Sequence, residues 1–267
     1  MEKLIIDMHQ HLSEENTAEA LAETYHELGV DRAVLQGLPP NRAPGNNEKV
    51  LEASRNFPGL LVPFFGFAFD RMTPDDIEEA QSAGFAGIKF ITPNKPYNHP
   101  DYFPVYDRAE ELGLPVLFHL GIVANNAGWT DCDSNLMRPI HLDHIARTHP
   151  DLTIVGAHLG NPWYDEATMS CRWNPNLYFD LSGSTLKKKS AEFLGSLLWW
   201  TETTAYRSPD GRRAWEKIVF GSDVHWSQVK DVMHDHEVLM RELHLAPAIR
   251  RRVWGETAAE LLGIEVE

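Results

Sequence analysis

The stretch Lys3-Leu4-Ile5-Ile6-Asp7-Met8-His9-Gln10-His11 is an apolar run that turns abruptly into chemistry. Its first half reads as a strand over Lys3–Asp7. Its second half sets two histidines two residues apart, so that in extended backbone both rings project to one side. Two imidazoles converging at a strand end suit a borderline metal such as zinc. The same pair also serves as two hydrogen-bonded polar residues, and His-x-His alone does not choose between them. The choice comes from what recurs downstream. Leu117-Phe118-His119-Leu120-Gly121 ends an apolar run on His119. Ile154-Val155-Gly156-Ala157-His158-Leu159-Gly160 sets His158 just past another, and Val219-Phe220-Gly221-Ser222-Asp223 sets Asp223 just past a third.

Outward from these anchors, short apolar runs alternate with longer amphipathic stretches. Strands are expected at Lys3–Asp7, Ala33–Gly37, Leu60–Phe67, Ala86–Phe90, Pro115–His119, Leu152–Ala157, Leu177–Leu181 and Ile218–Gly221. Several are nearly continuous apolar runs, the mark of strands covered on both faces. Helices are expected over Thr17–Leu28, stopped by Gly29, and from Thr73-Pro74-Asp75-Asp76 to about Gly84, with a cap residue and proline at its start. Three more follow at Pro104–Leu112, Asn135–Thr148 and Ser227–Leu243. The Gly183–Gly211 region has no clear period, and its Thr201–Asp210 part reads as loop. Strand–helix alternation implies a parallel sheet, open or closed. Polar residues at the C-terminal ends of strands far apart in sequence decide for a closed (β/α)8 TIM barrel, an α/β fold, as a single domain over residues 1–267.

Composition narrows the partners. The net charge of −15 is the wrong sign for a general phosphate-backbone binder, so nucleic acid is not expected. No run is apolar for long enough to span a bilayer, and the N-terminus turns acidic at Asp7 too early for a signal peptide. The two cysteines, Cys132 and Cys171, form neither a CxxC pair nor a disulfide framework, which fits a reducing cytoplasm. The expected partner is a small-molecule substrate, with a homo-oligomer left open.

Taken together, these motifs resemble the amidohydrolase superfamily, in its amidohydrolase-related branch of metal-dependent hydrolases and aminocarboxymuconate-semialdehyde decarboxylase-like enzymes. The resemblance also rests on Gly87-Ile88-Lys89-Phe90, Phe179-Asp180-Leu181-Ser182-Gly183 and the closing Trp254-Gly255-Glu256-Thr257-Ala258-Ala259-Glu260-Leu261-Leu262, and it covers nearly the whole chain. It implies His9, His11, His119 and Asp223 as ligands of one divalent metal, zinc first and manganese as an alternative, with a second metal left open. It further implies a water activated by that metal, Asp223 as the proton shuttle, and His158 polarising the substrate or stabilising developing negative charge.

Two features depart from the branch. Gly221-Ser222-Asp223 continues into Val224-His225 where a proline is usual, and Thr257 stands where asparagine is usual. His225 is two residues past Asp223, so it either adds to the site or bonds to backbone as a loop histidine. Lys89 is a candidate bridge between two metals after carboxylation, a contact for a substrate carboxylate, or a plain ion-paired lysine. Arg138 and Arg172 are candidates for a carboxylate, and Trp226 and the loop tryptophans Trp129, Trp163 and Trp173 for a planar substrate.

The function expected first is a metal-dependent hydrolase acting on a C–O or C–N bond (lactone, ester or amide) of a small carboxylated or aromatic substrate. The runner-up is a non-oxidative decarboxylase of an unsaturated or aromatic acid, which uses almost the same residues. The resemblance tips toward hydrolysis because decarboxylase-like members carry an insertion after the first strand, whereas this chain reaches its first helix soon after His11. A phosphoesterase ranks third, on Asp223-Val224-His225. A non-catalytic binding protein is disfavoured because every expected ligand is present.

Overall fold

The computed structural model describes residues 3–124, 129–204 and 208–265. The first strand, β1 (Ile6–Gln10), starts three residues later than hydropathy places it and runs through His9. Hydropathy stops at Asp7 because a buried carboxylate looks like a strand end. Asp7 instead accepts hydrogen bonds from Tyr25 Oη (2.9 Å) and the Ser222 amide (2.9 Å), which satisfy it inside the fold.

Helix α1 (Ala18–Leu28) has a Thr17 cap and ends at Gly29, as the sequence predicts. Then come β2 (Arg32–Gln36), α2 (Asn46–Asn56), β3 (Leu61–Phe67), α3 (Pro74–Ala83), β4 (Gly87–Phe90), α4 (Phe103–Glu111) and β5 (Val116–Phe118). Helix α2 was not expected; its weak apolar content leaves only Val50 and Ala53 as buried apolar anchors. The helix expected over Asn135–Thr148 is divided. A 3-10 turn covers Ser134–Met137 and α5 covers Ile140–Thr148, because Pro139 brings no N–H to a continuous helix. The rest are β6 (Ile154–Gly156), α6 (Tyr164–Trp173), β7 (Leu177–Asp180), α7 (Ser184–Lys188), α8 (Ala191–Leu197), β8 (Ile218–Val219), α9 (Val229–Glu242), α10 (Pro247–Arg251) and α11 (Thr257–Leu262). Of the stretch expected as loop, residues 205–207 lie outside the described residues and the remainder carries only turns.

The eight strands pair in parallel in the order β1 to β8, and a bond from the Met8 amide to Phe220 O (2.9 Å) draws the two edges together into a TIM barrel. Its interior is filled by Ile6, Met8, Val34, Phe64, Leu117, Val155, Tyr178 and Val219, and Ala258, Ala259 and Leu261 of α11 join the same cluster. Phe64 takes the space that a side chain on β4 would need: a Cβ added to Gly87 would stand 2.4 Å from the Phe64 ring. One step up β4, β5 and β7, on the same side as Gly87, Leu117 and Tyr178, come Lys89, His119 and Asp180. The apolar plug therefore ends in a polar layer at the C-terminal mouth. Among the described residues no helix is long and apolar enough to cross a membrane.

Candidate active site

His9 and His11 are locked by their outer nitrogens. His9 Nδ1 donates to Asp180 Oδ2 (2.9 Å) and His11 Nδ1 donates to the Gln36 carbonyl (3.0 Å). A carboxylate and a carbonyl only accept here, so both hydrogens sit on Nδ1 and both Nε2 atoms carry lone pairs. These Nε2 atoms face one another at 3.3 Å. Two lone pairs at that distance repel unless a cation serves both. Two nitrogens on one tetrahedral zinc, each about 2.0–2.1 Å from the ion, lie roughly 3.3 Å apart. Asp223 Oδ1 lies 3.9 Å from each Nε2, and His9, His11 and Asp223 form a group that could hold a metal.

Among the described residues, His119 Nε2 is shut off from solvent and has no hydrogen-bond partner. Orphaned imidazole nitrogens are uncommon inside proteins, and this one lies on a ring 5.0 Å from that of His158. A metal ligand is the role that fits it. A second cluster with ligand-like spacing, His9, His158 and Asp180, is an internal hydrogen-bond network: His9 Nδ1 is already bonded to Asp180.

The backbone is strained where it delivers two of these groups. His158 (φ +59°), Leu159 (φ +47°) and Asp223 (φ +46°) adopt the left-handed conformation that L side chains avoid. His158 is held there by the hydrogen bond its amide donates to Asp180 Oδ1 (2.8 Å), and Asp223 by the one its amide donates to His9 O (2.7 Å). His158 Nε2 then points at Asp223 Oδ2 from 3.8 Å.

Electrostatics sets the resting protonation. Burial pushes His11 down to about 3, and holds His119 well below and His158 below the usual imidazole range. Burial alone would raise Asp223, but His9 and His158 beside it outweigh that and hold it below the usual carboxylate range. Asp180 likewise resists the upward push of burial and is held far down by His9. Lys89 is lowered by burial to about 8, with Asp223 and Asp180 opposing the fall. Its Nζ donates to His9 Nε2 at 3.1 Å.

Above this floor lies a cavity of about 230 Å³. His119, His158 and Asp223 reach it from below, and Ile122, Asn161 and Ser184 help to wall it. The structure thus brings together His9, His11, His119, His158, Asp223 and Lys89. Other candidates are engaged elsewhere. Arg138 pairs with Glu166 and stacks on Trp163 at 5.2 Å. Arg172 lies between Trp173 and Trp199, at 4.8 and 4.7 Å, in the outer layer. His225 bonds Ser227 Oγ (2.9 Å) and the Glu15 carbonyl (3.1 Å), and Trp226 packs beside it. These are the loop-histidine and core-tryptophan alternatives rather than pocket contacts. The sequence reading missed a role for Asp180 and Ser182. Their signal was present, since Asp180 ends an apolar strand as His119 and His158 do.

Comparison with known proteins places the chain among relatives. The amidohydrolase family model matches residues 6–264. No curated protein sequence matches. Among solved structures, similarity extends over whole chains at low identity. A probable 2-pyrone-4,6-dicarboxylic acid hydrolase from Acinetobacter baumannii, with citric acid bound, is 15% identical with a TM-score of 0.67, covering 97% of this chain and 99% of that one. The 5-carboxyvanillate decarboxylase from Sphingomonas paucimobilis is 13% identical with a TM-score of 0.68, covering 99% and 100%. The 2,6-dihydroxybenzoate decarboxylase from Rhizobium is 14% identical with a TM-score of 0.66, covering 98% and 99%. At such identity these likenesses speak for the fold alone.

Proposed function

The chain belongs to the amidohydrolase family, and from that premise we propose that it is a hydrolase that cleaves a C–O or C–N bond of a small lactone, ester or amide. One divalent ion, zinc in view of the imidazole and carboxylate donors, would be held by His9, His11, His119 and Asp223. Such an ion supplies a Lewis acid that acidifies water and polarises a carbonyl.

One observation favours hydrolysis over decarboxylation. Asp223 lies at the cavity, 3.9 Å from the facing Nε2 atoms of His9 and His11, and is held below the usual carboxylate range by His9 and His158 beside it, so it rests as a carboxylate. Hydrolysis begins by taking a proton from water, and Asp223, with a side chain 27% exposed, is the acceptor that solvent and substrate can both reach. The cavity of about 230 Å³ suits a small substrate, since pockets for drug-sized ligands run from about 300 Å³.

The test is isotopic. Incubated in ¹⁸O-water with a panel of lactones, esters and amides, the enzyme is expected to place one heavy oxygen in the product acid without releasing CO₂. Stoichiometric CO₂ release from an unsaturated or aromatic acid, with deuterium on carbon in D₂O, would instead establish the decarboxylase reading.

A further inference from the structure

Asp180 and Ser182, both fully buried at the end of β7, have no part in the reaction set out above. Counting hydrogens gives them one. Asp180 Oδ1 faces three donors: the His158 amide (2.8 Å), the Ser182 amide (2.9 Å) and Ser182 Oγ (2.6 Å). Asp180 Oδ2 takes the fourth, His9 Nδ1, at 2.9 Å. The serine hydroxyl owns a single hydrogen. Ser182 Oγ also lies 2.8 Å from His158 Nδ1, so one of the two contacts must use the serine's lone pair. The charged carboxylate is both the nearer and the stronger acceptor and claims the hydrogen. His158 Nδ1 must then be the donor to Ser182 Oγ.

We propose that Asp180 and Ser182 are positioning residues that fix two tautomers at once, His9 directly and His158 through the serine hydroxyl, so that both Nε2 atoms are left as lone pairs, that of His158 at the cavity and that of His9 beneath it beside His11. For His9 this leaves the ligand nitrogen without a hydrogen of its own, so that it accepts from Lys89 Nζ (3.1 Å) and can bind a metal in its place. For His158 it revises the expected role. A neutral ring with its hydrogen on Nδ1 has none to give at Nε2, so it orients a water or hydroxyl by accepting from it and does not polarise a carbonyl. That catalytic consequence rests on the hydrolase reading; the tautomers themselves do not.

The experiment is long-range ¹H–¹⁵N NMR of histidine-labelled, metal-free protein without substrate, paired with zinc titration. Wild type is expected to show His9 and His158 as Nδ1–H tautomers. S182A should move His158 toward the Nε2–H form and leave His9 unchanged, and S182T, which restores a hydroxyl, should return it. In D180N the three donors at the Oδ1 position require the amide oxygen, which turns the NH₂ toward His9 Nδ1. His9 should then carry its hydrogen on Nε2, and zinc affinity should fall about 10–100-fold or more. With a hydrolysed substrate in hand, S182A should lower kcat by about 10–100-fold with little change in KM.

Wild-type His158 as the Nε2–H tautomer, or S182A leaving it unmoved, overturns the proposal. So does a folded D180N with wild-type zinc affinity. If D180N does not fold, the Ser182 pair still decides. Tautomers as expected with no lactone, ester or amide turned over would sink the hydrolase reading alone.

Discussion

Among the described residues two lysines are wholly buried in this barrel, and they show how differently its two ends are built. Lys217, just before β8, donates to the carbonyls of Cys171 (2.8 Å) and Asn174 (2.6 Å) and lies 5.4 Å from the Tyr178 ring. It caps the C-terminus of α6, where carbonyls lack partners and the helix dipole favours a cation. Lys89, on β4, reaches the mouth, where the one bond its ammonium makes among the described residues is to His9 Nε2. An ammonium has three hydrogens to place. At the base, burial of charge is matched by fixed acceptors and holds the chain together. At the mouth, charge is left under-satisfied beside Asp223, Asp180 and an array of lone pairs, which is how a site is kept ready for a ligand.

Four outcomes would sharpen or break this contrast, from largest to smallest. Asp223→Asn keeps shape but removes the proton acceptor; kcat should fall by about 10³-fold, with melting nearly unchanged. A variant with near-normal turnover would show that the mouth's charges are not catalytic. Lys217→Met should do the reverse. It orphans two carbonyls at a helix end and should cost about 3 kcal/mol in urea unfolding, while turnover per folded molecule stays normal.

The third outcome is a pH effect away from the mouth. His236 is buried between Phe220 and Trp254, at 5.0 and 5.9 Å, and burial lowers it to about 4. Below about 6.5 the unfolded chain takes up a proton that the folded chain refuses. Stability should therefore fall as pH drops from about 6.5 to about 4, by roughly 3 kcal/mol, and level off below that. Urea midpoints across this window should flatten in His236→Leu; an unchanged slope would assign the effect elsewhere. The smallest is Lys89→Met. It removes a charge with one bond, so stability should shift by less than about 1 kcal/mol, while turnover drops about 10–100-fold. A large loss of stability instead would make Lys89 a second Lys217.

Much of the barrel was legible because its signals are local. A fully covered strand is an apolar run, and a polar residue after it marks the mouth, which is how His119, His158 and Asp223 declare themselves. What failed was through-space. Arg138 looks free in the sequence but is taken by Glu166, 28 residues away. His225 looks like a pocket residue until the Glu15 carbonyl is seen beside it. Strand β1 was cut short because Asp7 is charged, and only Tyr25 and Ser222, distant in sequence, explain its burial. Asp180 sits in a motif that shows no role of its own in the sequence, since its task is to hold other residues rather than to touch a ligand.

We propose that the facing lone pairs of His9 and His11, with His119 and Asp223, make one metal site. Elemental analysis of the purified protein, followed by zinc titration of chelator-treated wild type, His119→Ala and His158→Asn, tests it most directly. Expected are about one divalent ion per chain in wild type, a marked loss in His119→Ala, and near-normal content in His158→Asn. Failure of wild type to take up either zinc or manganese would contradict it. So would His158→Asn losing metal as fully as His119→Ala, since His158 would then be a ligand.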